Sequence, residues 1–205
     1  IAVSAAAGDD RPPTGSDLPA WLVEVRALRG RVLFASGRRP QFRDPDANSF
    51  CDPDPHDLDA WHIAARLNGQ VVGCVRCAPI RTGSSPLRKL LGADRLAEVM
   101  EHLQTTEDRC AEVSRWTVDP DHGYLGLGYN LIAAVWSFLA GEGYQIGLAA
   151  AGSRGKQDRI LEHLGLHYIE ALEAQRSEAF DDTLRFMYAP FEFPSEKLQR
   201  VLEKM

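Results

Sequence analysis

Residues 110–138, CAEVSRWTVDPDHGYLGLGYNLIAAVWSF, have the pattern of a strand, a glycine-rich loop and a helix in direct succession. β-Branched and aromatic residues among short polar ones predict a strand over 110–118. Pro120 ends it, because proline has no backbone N–H for a strand ladder. Gly123, Gly126 and Gly128 predict a loop whose backbone can bend and approach a ligand closely. From residue 127 onwards apolar residues recur at helical spacing, which predicts a helix.

Backbone N–H groups at the start of a helix form an anion site, because the free donors and the positive end of the helix dipole both favour phosphate. We therefore predict a pyrophosphate cradle over residues 123–130. The alternative is a tight strand-to-helix turn that uses glycine only for its conformational freedom. The lysine and the Ser/Thr of a P-loop are missing and the glycines are not spaced as G-x-G-x-x-G, which argues against those two nucleotide-binding folds.

Strict alternation within the predicted strand puts Glu112 and Ser114 on one face and Arg115 and Thr117 on the other. A bulge in the strand would redirect these side chains. The distinction matters because the polar residues of this strand are the first candidates for chemistry.

The composition is that of an ordinary soluble globular protein, with 205 residues, 44% hydrophobic and 25% charged. This length suits one domain, predicted over 16–205, after a small, polar, Pro/Gly-rich tail at 1–15 that we expect to be disordered. The formal charge of −6 argues against broad nucleic-acid binding. No apolar run approaches the ~20 residues of a membrane span.

Four scattered cysteines are too few for a disulfide scaffold, and they favour a reducing cytoplasmic location. Cys74 and Cys77 form a lone C-x-x-C in a predicted strand. Residues three apart on a strand point to opposite faces, so the two thiols are poorly placed to share a metal or a bond. We predict that both are simply buried, and we predict no metal site.

The elements around the central stretch complete a three-layer α/β domain with a mixed sheet. Upstream, 18–32 carry an apolar helical stripe, 37–55 read as a long loop, and Asn68-Gly69 is a strong hairpin signal between strands at 61–67 and 71–77. Downstream, the patterns predict helices at 87–91, 94–103, 154–164 and 195–205, and strands at 145–150, 167–172 and 183–191.

Two motifs carry a resemblance to a known superfamily. Val118-Asp119-Pro120 followed by Gly126-Leu127-Gly128 resembles the acyl-CoA loop of GNAT acyltransferases. Glu112-Val113-Ser114-Arg115 resembles the E-x-S-R strand of acyl-homoserine-lactone (autoinducer) synthases and of long-chain N-acyl amino acid synthases. These are GNAT-fold enzymes that take an acyl chain from acyl carrier protein or CoA, so the resemblance implies a three-layer α/β/α fold with a splayed central sheet.

The chain departs from the superfamily pattern at two positions. Gly123 stands where an Arg or Gln usually precedes the first motif glycine, and Leu161 stands where many acetyltransferases have a catalytic tyrosine. Gly123 bears on the identity of the donor. Leu161 means that a tyrosine general acid has no support in this sequence.

Three upstream segments resemble the acceptor side of the same families. Arg31 begins a segment similar to their Arg–aromatic segment, which helps to form the acceptor site. Asp54 and Asp57 resemble a D-x-x-D pair that holds a cationic amine, although aspartates also start turns and cap strands. Arg76 closes a G-x-x-R, either as a structural ion-pair partner or as an acceptor-site cation. His62 is expected to be packed rather than to act as a base.

The implied reaction moves an acyl group from a thioester to the amine of an amino acid or similar small molecule. The donor is acyl-CoA or the acyl-phosphopantetheine of acyl carrier protein, with no permanently bound cofactor. Glu112 is the candidate base, Ser114 a proton relay or a contact to the leaving thiol, and Arg115 the partner of an acceptor carboxylate. The alternative for Glu112 and Arg115 is a buried ion pair that stabilises the sheet.

Donor contacts are expected from the end of the strand and from the glycine loop. The predicted contacts are Thr117, Val118, Gly123, Tyr124, Gly126, Gly128, Tyr129 and Asn130. Backbone N–H groups around residues 117 and 118 would stabilise the developing oxyanion. A basic group of Arg154, Lys156 and Arg159 is either a solvated helix face or a contact to donor phosphate or carrier protein. Two other functions remain open, an acetyl-CoA-dependent N-acetyltransferase and a non-catalytic module that binds an acyl ligand or a partner.

Overall fold

The structure is a computed structural model that describes residues 18–81, 85–178 and 180–204, with Tyr124 and Leu125 described by their backbone alone. The tail predicted at 1–15 lies outside the described residues. The helices are α1 Ala20–Ala35, α2 Pro86–His102, α3 Leu127–Gly141, α4 Gln157–His163 and α5 Glu196–Leu202. The strands are β1 Arg43–Asp44, β2 Ser49–Phe50, β3 Trp61–Leu67, β4 Gln70–Pro79, β5 Cys110–Val118, β6 Ile146–Gly152, β7 His167–Tyr168, β8 Gln175–Ser177 and β9 Asp182–Pro190.

Strands β3 to β9 form one mixed sheet in the order β3-β4-β5-β6-β9-β7, with β8 also paired to β9. Strand β5 runs parallel to β6, and β6 is antiparallel to β9. This confirms the predicted α/β class with a mixed sheet. The segment expected to be a featureless loop also contains a small hairpin, β1 with β2, whose two-residue strands are too short to show a periodicity.

The described chain divides into two compact units, 18–76 with 115–131 and 77–114 with 132–204. The single domain expected over 16–205 therefore stays a prediction. In the first unit the hairpin between β3 and β4 turns as predicted, because Asn68 and Gly69 both have positive φ, 50° and 84°, as a type I′ turn requires. Its apolar cluster includes Val25, Leu28 and Val71.

In the second unit, α2 breaks at Gly92, whose φ of 76° and ψ of 171° are not helical. This break confirms the two short helices predicted on either side of it. The core of the unit joins α2 to the sheet and contains Leu96, Val99, Cys110, Leu148 and Phe186 among its buried members. Strand β9 pairs with the whole length of β6, from Pro190 opposite Ile146 to Leu184 opposite Gly152.

All four cysteines are free thiols. Cys74 and Cys77 are 1% and 0% exposed, which confirms the prediction of burial for the C-x-x-C. Burial raises the pKa of the Cys74 thiol to about 12 and that of Cys110 to about 11, so neither has thiolate character near neutral pH. Within 18–81, 85–178 and 180–204, no group of three or more His, Cys, Asp or Glu side chains is arranged to hold a metal ion.

A membrane-spanning helix must be long and continuously apolar. In the part of the chain that the structure describes, no helix has the length and apolar character needed to cross a membrane.

Candidate functional site

Strand β5 has the predicted bounds but not the predicted regularity. Arg115 lies inside it with φ of 56°, in the left-handed region. A left-handed residue that is not glycine costs about 1–2 kcal/mol, and inside a strand it bends the chain as a β-bulge does. The Arg115 carbonyl accepts hydrogen bonds from Thr117 Oγ1 at 3.2 Å and from Cys74 Sγ at 3.9 Å. The simple alternation of faces therefore ends at Arg115.

The guanidinium of Arg115 joins a cluster of arginines and aspartates in the first unit. The members are Arg26, Arg29, Arg76, Arg115, Asp52, Asp54 and Asp57. All are buried except Arg115, whose side chain is 21% exposed. We call this set the arginine–aspartate cluster. It contains one more guanidinium than carboxylate.

Asp57 fastens helix α1 to the cluster. Its Oδ2 accepts from Arg26 Nε at 2.9 Å and from Arg29 Nη2 at 2.5 Å, and its Oδ1 accepts from Arg29 Nη1 at 2.9 Å and from Arg76 Nη1 at 3.2 Å. Burial favours the neutral acid, but the hydrogen bond and charge of Arg29 outweigh burial and lower the pKa of Asp57. His62 is buried as expected, with Nε2 2.9 Å from the Asp57 carbonyl oxygen.

Asp54 fastens strands β4 and β5. Its Oδ2 accepts from Arg76 Nη1 at 2.8 Å, from Arg115 Nε at 2.8 Å and from Arg115 Nη2, while Oδ1 accepts from the backbone N–H of His56 at 3.0 Å. Burial opposes ionisation, but the charges of Arg115 and Arg76 outweigh it and lower the pKa of Asp54. An acceptor amine would reach Asp54 or Asp57 only by displacing an arginine.

Asp52 completes the cluster through charge rather than through aligned hydrogen bonds. Its Oδ2 lies 3.0 Å from Arg29 Nε and 3.6 Å from Arg115 Nε. Neither Asp52 Oδ2 nor Arg29 Nε has a well-oriented hydrogen-bond partner in the described part of the chain. Burial alone would lower the pKa of Arg29, but its hydrogen bond to Asp57 and the nearby negative charges raise it. The Arg29 guanidinium therefore stays protonated.

Arg31, predicted on the acceptor side, contacts the start of the glycine loop. Its Nη2 donates to Asp119 Oδ2 at 2.8 Å. Asp119 also receives the backbone N–H of Asp121 at 3.2 Å, and its own N–H donates to the Val72 carbonyl at 2.9 Å. Burial opposes ionisation of Asp119, but the bond from Arg31 prevails and lowers its pKa. Arg31 is thus held at the junction of β5 and the loop, with its side chain 45% exposed.

The three loop glycines have different structural roles. Gly126 has φ of 69° and ends the 3₁₀ turn Pro120–Leu125 before α3 begins. A Cβ on Gly128 would lie 2.9 Å from Trp116 Cζ2, so this glycine permits close packing on the indole. A Cβ on Gly123 would meet nothing within 4 Å, and its φ is not in the left-handed region. The sequence could not separate these roles.

Two further features bear on donor binding at this loop. The backbone N–H groups of Tyr129 and Asn130 donate to the Gly126 carbonyl at 3.1 and 3.2 Å, so these two N–H groups are used within the turn. The Nε1 of Trp116 is buried and has no hydrogen-bond partner among the described residues. A buried N–H without an acceptor is uncommon, and this one lies beside Gly128.

In the second unit, Glu112 is 4% exposed and caps helix α2. Its Oε2 accepts from Ser85 Oγ at 2.6 Å and from the backbone N–H of Leu87 at 3.0 Å. Ser85 Oγ in turn accepts from the backbone N–H of Arg88 at 3.1 Å. Within the described residues, both hydrogen bonds to the Glu112 side chain are accepted by Oε2. Ser114, two residues further along β5, is half-buried.

The basic group near α4 is largely paired with neighbouring carboxylates. Arg154 forms an ion pair with Asp181, and Arg159 Nη1 lies 3.1 Å from Glu162 Oε2. Lys156 stands at the N-terminal cap of α4 with φ of 56°. This pairing reduces the net positive charge on which a carrier-protein contact would depend.

Residues 29–124 match the family model of the acetyltransferase (GNAT) domain. BjaI, a CoA-dependent acyl-homoserine lactone synthase solved with MTA, superposes with a TM-score of 0.63 at 17% identity, covering 89% of this chain and 80% of that chain. The chain has the GNAT fold. FeeM, an N-acyl amino acid synthase from uncultured soil microbes, gives a TM-score of 0.63 at 11% identity over 86% of this chain and 87% of its own. No curated protein matches the sequence.

The predicted GNAT fold is therefore confirmed, and so is the likeness of that fold to the autoinducer and N-acyl amino acid synthase group. The matched residues 29–124 extend from the second half of α1 through β5 into the glycine loop, so they include all four residues predicted on the acceptor side.

The sequence reasoning missed two features of this GNAT-fold chain. Arg26, Arg29 and Asp52 were not identified as partners of the predicted site residues, although Arg26 and Arg29 are three apart on one helix and so share a face. Ser85 was not identified as the partner of Glu112, because 27 residues separate them and no local pattern connects a helix cap with a distant strand.

Proposed function

We propose that this protein is an N-acyltransferase. It moves a long-chain acyl group from a thioester to the amine of an amino acid or similar small molecule. The products are an amide and a free thiol. The observation that carries the proposal is the bend at Arg115 in β5, followed directly by the glycine loop and helix α3.

The end of β5 supplies the donor seat in this proposal. We propose that the bend at Arg115 turns backbone N–H groups near Thr117 and Val118 towards the thioester carbonyl, where they stabilise the oxyanion. The unpartnered N–H of Trp116 offers one more donor next to the loop. Helix α3 favours the phosphates of CoA or phosphopantetheine at its N-terminus, with Gly126 keeping the approach open.

Glu112 is the proposed base. It takes a proton from the acceptor ammonium, directly or through water, with Oε1 as the reacting oxygen because Oε2 caps α2. The free amine attacks the thioester carbonyl carbon, the tetrahedral intermediate collapses, the C–S bond breaks and the thiolate takes a proton. Ser114 is the proposed proton relay to that thiolate. Holding donor and amine together supplies the rest of the acceleration.

The acceptor side is proposed near the arginine–aspartate cluster. The cluster has one more guanidinium than carboxylate, and Arg115 is its most exposed member, so an acceptor that carries a carboxylate is favoured. Asp54 already holds Nε and Nη2 of Arg115, so the acceptor would share this guanidinium rather than bind it alone. Arg31 is proposed to contribute from the edge of the loop.

The donor is proposed to be acyl-CoA or acyl carrier protein. BjaI is described as CoA-dependent and has been solved with SAM and isopentyl-CoA, which supports the CoA donor, and the paired basic group near α4 weakens the carrier-protein alternative. The test supplies purified protein with acetyl-CoA, a long-chain acyl-CoA or a long-chain acyl carrier protein, together with a mixture of amino acids. Mass spectrometry should find a long-chain amide with the wild type and a strongly reduced amount with Glu112→Gln. Absence of any amide from every donor would refute the proposal.

A second candidate is acetyl-CoA-dependent N-acetylation. It is favoured by the match of residues 29–124 to the acetyltransferase (GNAT) domain. Gly123 and Leu161 argue against it, because they replace residues usual in acetyltransferases. An acetylated product with no long-chain amide would support this candidate. Binding of a thioester without product from any acceptor would support a non-catalytic module.

A further inference from the structure

We propose that Asp54 is a positioning residue that holds Arg115 in its left-handed conformation and thereby sets the bend of β5 at the donor seat. The functional part of this inference rests on the proposed function, but the structural part can be tested without any ligand. The pair formed by Asp54 and Arg115 is called the Asp54 latch below.

Arg115 lies in a strained backbone conformation. Among the described residues with positive φ that are not glycine, the other five, Asn48, Asn68, Gln104, Lys156 and Asp181, lie in turns or at a helix cap, whereas Arg115 lies inside a strand. Arginine has no short polar side chain that would stabilise this conformation locally. Such strain persists only where the surrounding structure enforces it, so some contact must hold residue 115.

The contact that holds Arg115 is made by the carboxylate of Asp54. Asp54 Oδ2 receives both Nε and Nη2 of Arg115, which is the two-point geometry that fixes a guanidinium in orientation as well as in distance. Asp54 is itself immobilised, because His56 N–H and Arg76 bind its carboxylate and Arg26 Nη2 donates to its carbonyl at 2.7 Å. A fixed carboxylate therefore pulls the Arg115 side chain to one side of β5.

The bend at Arg115 sets the orientation of residues 116–118. Strand β5 continues past the bend to Val118, and the N–H of the next residue, Asp119, donates to the Val72 carbonyl at 2.9 Å. The residues between the bend and this bond are Trp116, Thr117 and Val118, which are the ones assigned to the donor. If residue 115 relaxed to an extended conformation, the faces of these three residues would exchange, because side chains alternate along a strand.

The test compares four variants, Asp54→Asn, Arg115→Gly, Arg115→Ala and the double variant Asp54→Asn/Arg115→Gly. Glycine adopts positive φ without steric cost, whereas alanine does not. Glu24→Gln is the matched control, because it breaks the exposed ion pair of the same unit between Glu24 and Arg66. Backbone NMR chemical shifts at residue 115 report the conformation directly, and calorimetric titration with acetyl-CoA reports donor binding.

We expect left-handed shifts at residue 115 in the wild type, in Arg115→Gly and in Glu24→Gln, and extended shifts in Asp54→Asn and Arg115→Ala. Acetyl-CoA should bind Arg115→Ala about 5- to 30-fold more weakly than Arg115→Gly, which is the factor that corresponds to the cost of the left-handed region. Adding Asp54→Asn to Arg115→Gly should change binding by less than about twofold.

Unchanged shifts at residue 115 in both Asp54→Asn and Arg115→Ala would overturn the latch. Equal binding by Arg115→Ala and Arg115→Gly would overturn its role in donor binding. If Asp54→Asn does not fold, the shifts of Arg115→Ala decide alone, because alanine removes the contact to Asp54 and left-handed shifts there would overturn the latch. Failure of the wild type to bind acetyl-CoA or a long-chain acyl-CoA would count against the proposed function, while the NMR shifts would still test the latch.

Discussion

Glu112 is both the proposed base and a structural cap of α2, so removing its charge has two effects that must be separated. Its Oε2 receives two hydrogen bonds, from Ser85 Oγ and from Leu87 N–H, at a residue that is 4% exposed. Hydrogen bonds to a charged group contribute about 1.5–3 kcal/mol each and neutral ones about 0.5–1.5 kcal/mol. Glu112→Gln keeps an acceptor oxygen but loses the charge, so we expect a loss of about 1–3 kcal/mol in the free energy of unfolding.

Ser85→Ala is the matched variant for this prediction. It removes one of the two bonds to Glu112 and the cap on Arg88 N–H, while the carboxylate stays. Loss of a serine cap costs about 0.5–2 kcal/mol, a loss that overlaps the range expected for Glu112→Gln. At about 2–4 °C per kcal/mol for a chain of this size, both variants should melt several degrees below the wild type.

Only turnover distinguishes the two variants. General base catalysis contributes about 10²–10⁴-fold, so Glu112→Gln should lose that factor in kcat at a temperature where all three proteins are folded. Ser85→Ala should keep kcat within about threefold of the wild type, because the Glu112 carboxylate remains in place. The assay is amide formation followed by mass spectrometry, with thermal unfolding measured in parallel. If Ser85→Ala loses as much turnover as Glu112→Gln, the carboxylate acts through the fold and is not the base.

Three further predictions follow from single residues. Gly126→Ala should lower Tm because a left-handed alanine costs about 1–2 kcal/mol, whereas Gly123→Ala, in open space without positive φ, should leave Tm within about 2 °C. Asp57→Asn should cost about 3–5 kcal/mol in urea unfolding, because it leaves buried guanidiniums without their counter-charge. Burial lowers the pKa of His62, so the free energy of unfolding should fall as pH drops below about 6.5, and His62→Gln should remove that part of the pH dependence.

Each of these three has its own contradicting result. Equal Tm values for Gly123→Ala and Gly126→Ala would contradict the distinction between the glycines. A loss below about 1 kcal/mol for Asp57→Asn would mean that the arginine–aspartate cluster adds little to stability. For His62, the sign follows because the folded state binds the proton less readily than the unfolded chain. His102→Gln, at an exposed position, is the control, and an effect equal to that of His62→Gln would contradict the assignment.

The sequence predicted the parts of the fold that depend on local patterns. The bounds of β5 were found because nine consecutive residues favour a strand and Pro120 stops it. The hairpin at Asn68-Gly69 was found because both residues tolerate positive φ. The two halves of α2 were predicted as separate short helices at 87–91 and 94–103, and they meet at the break of Gly92. Strands of two or three residues, such as β1 and β8, are too short to carry such a pattern.

The candidate site was predicted in its residues but not in its contacts. Asp54, Asp57 and Arg76 were named from a resemblance, and the structure shows that they bind arginines and aspartates of the same chain. The left-handed conformation of Arg115 could not be read from the sequence, because arginine is not a residue that favours it. It arises from a carboxylate 61 residues away, and pairings at that separation leave no periodic trace.

The arrangement of Asp54 and Asp57 explains how one short loop holds three elements. Asp57 binds Arg26 and Arg29 and so fixes α1, whereas Asp54 binds Arg76 and Arg115 and so fixes β4 and β5. Each carboxylate is saturated by this work, so the acceptor cannot depend on them for an ammonium contact without breaking the cluster. The surplus guanidinium charge lies nearest solvent at Arg115, the residue that also bends β5. Arg115 would then have two roles, binding the acceptor carboxylate and orienting the strand that binds the donor. Any substitution at Arg115 must therefore be interpreted with both effects in view.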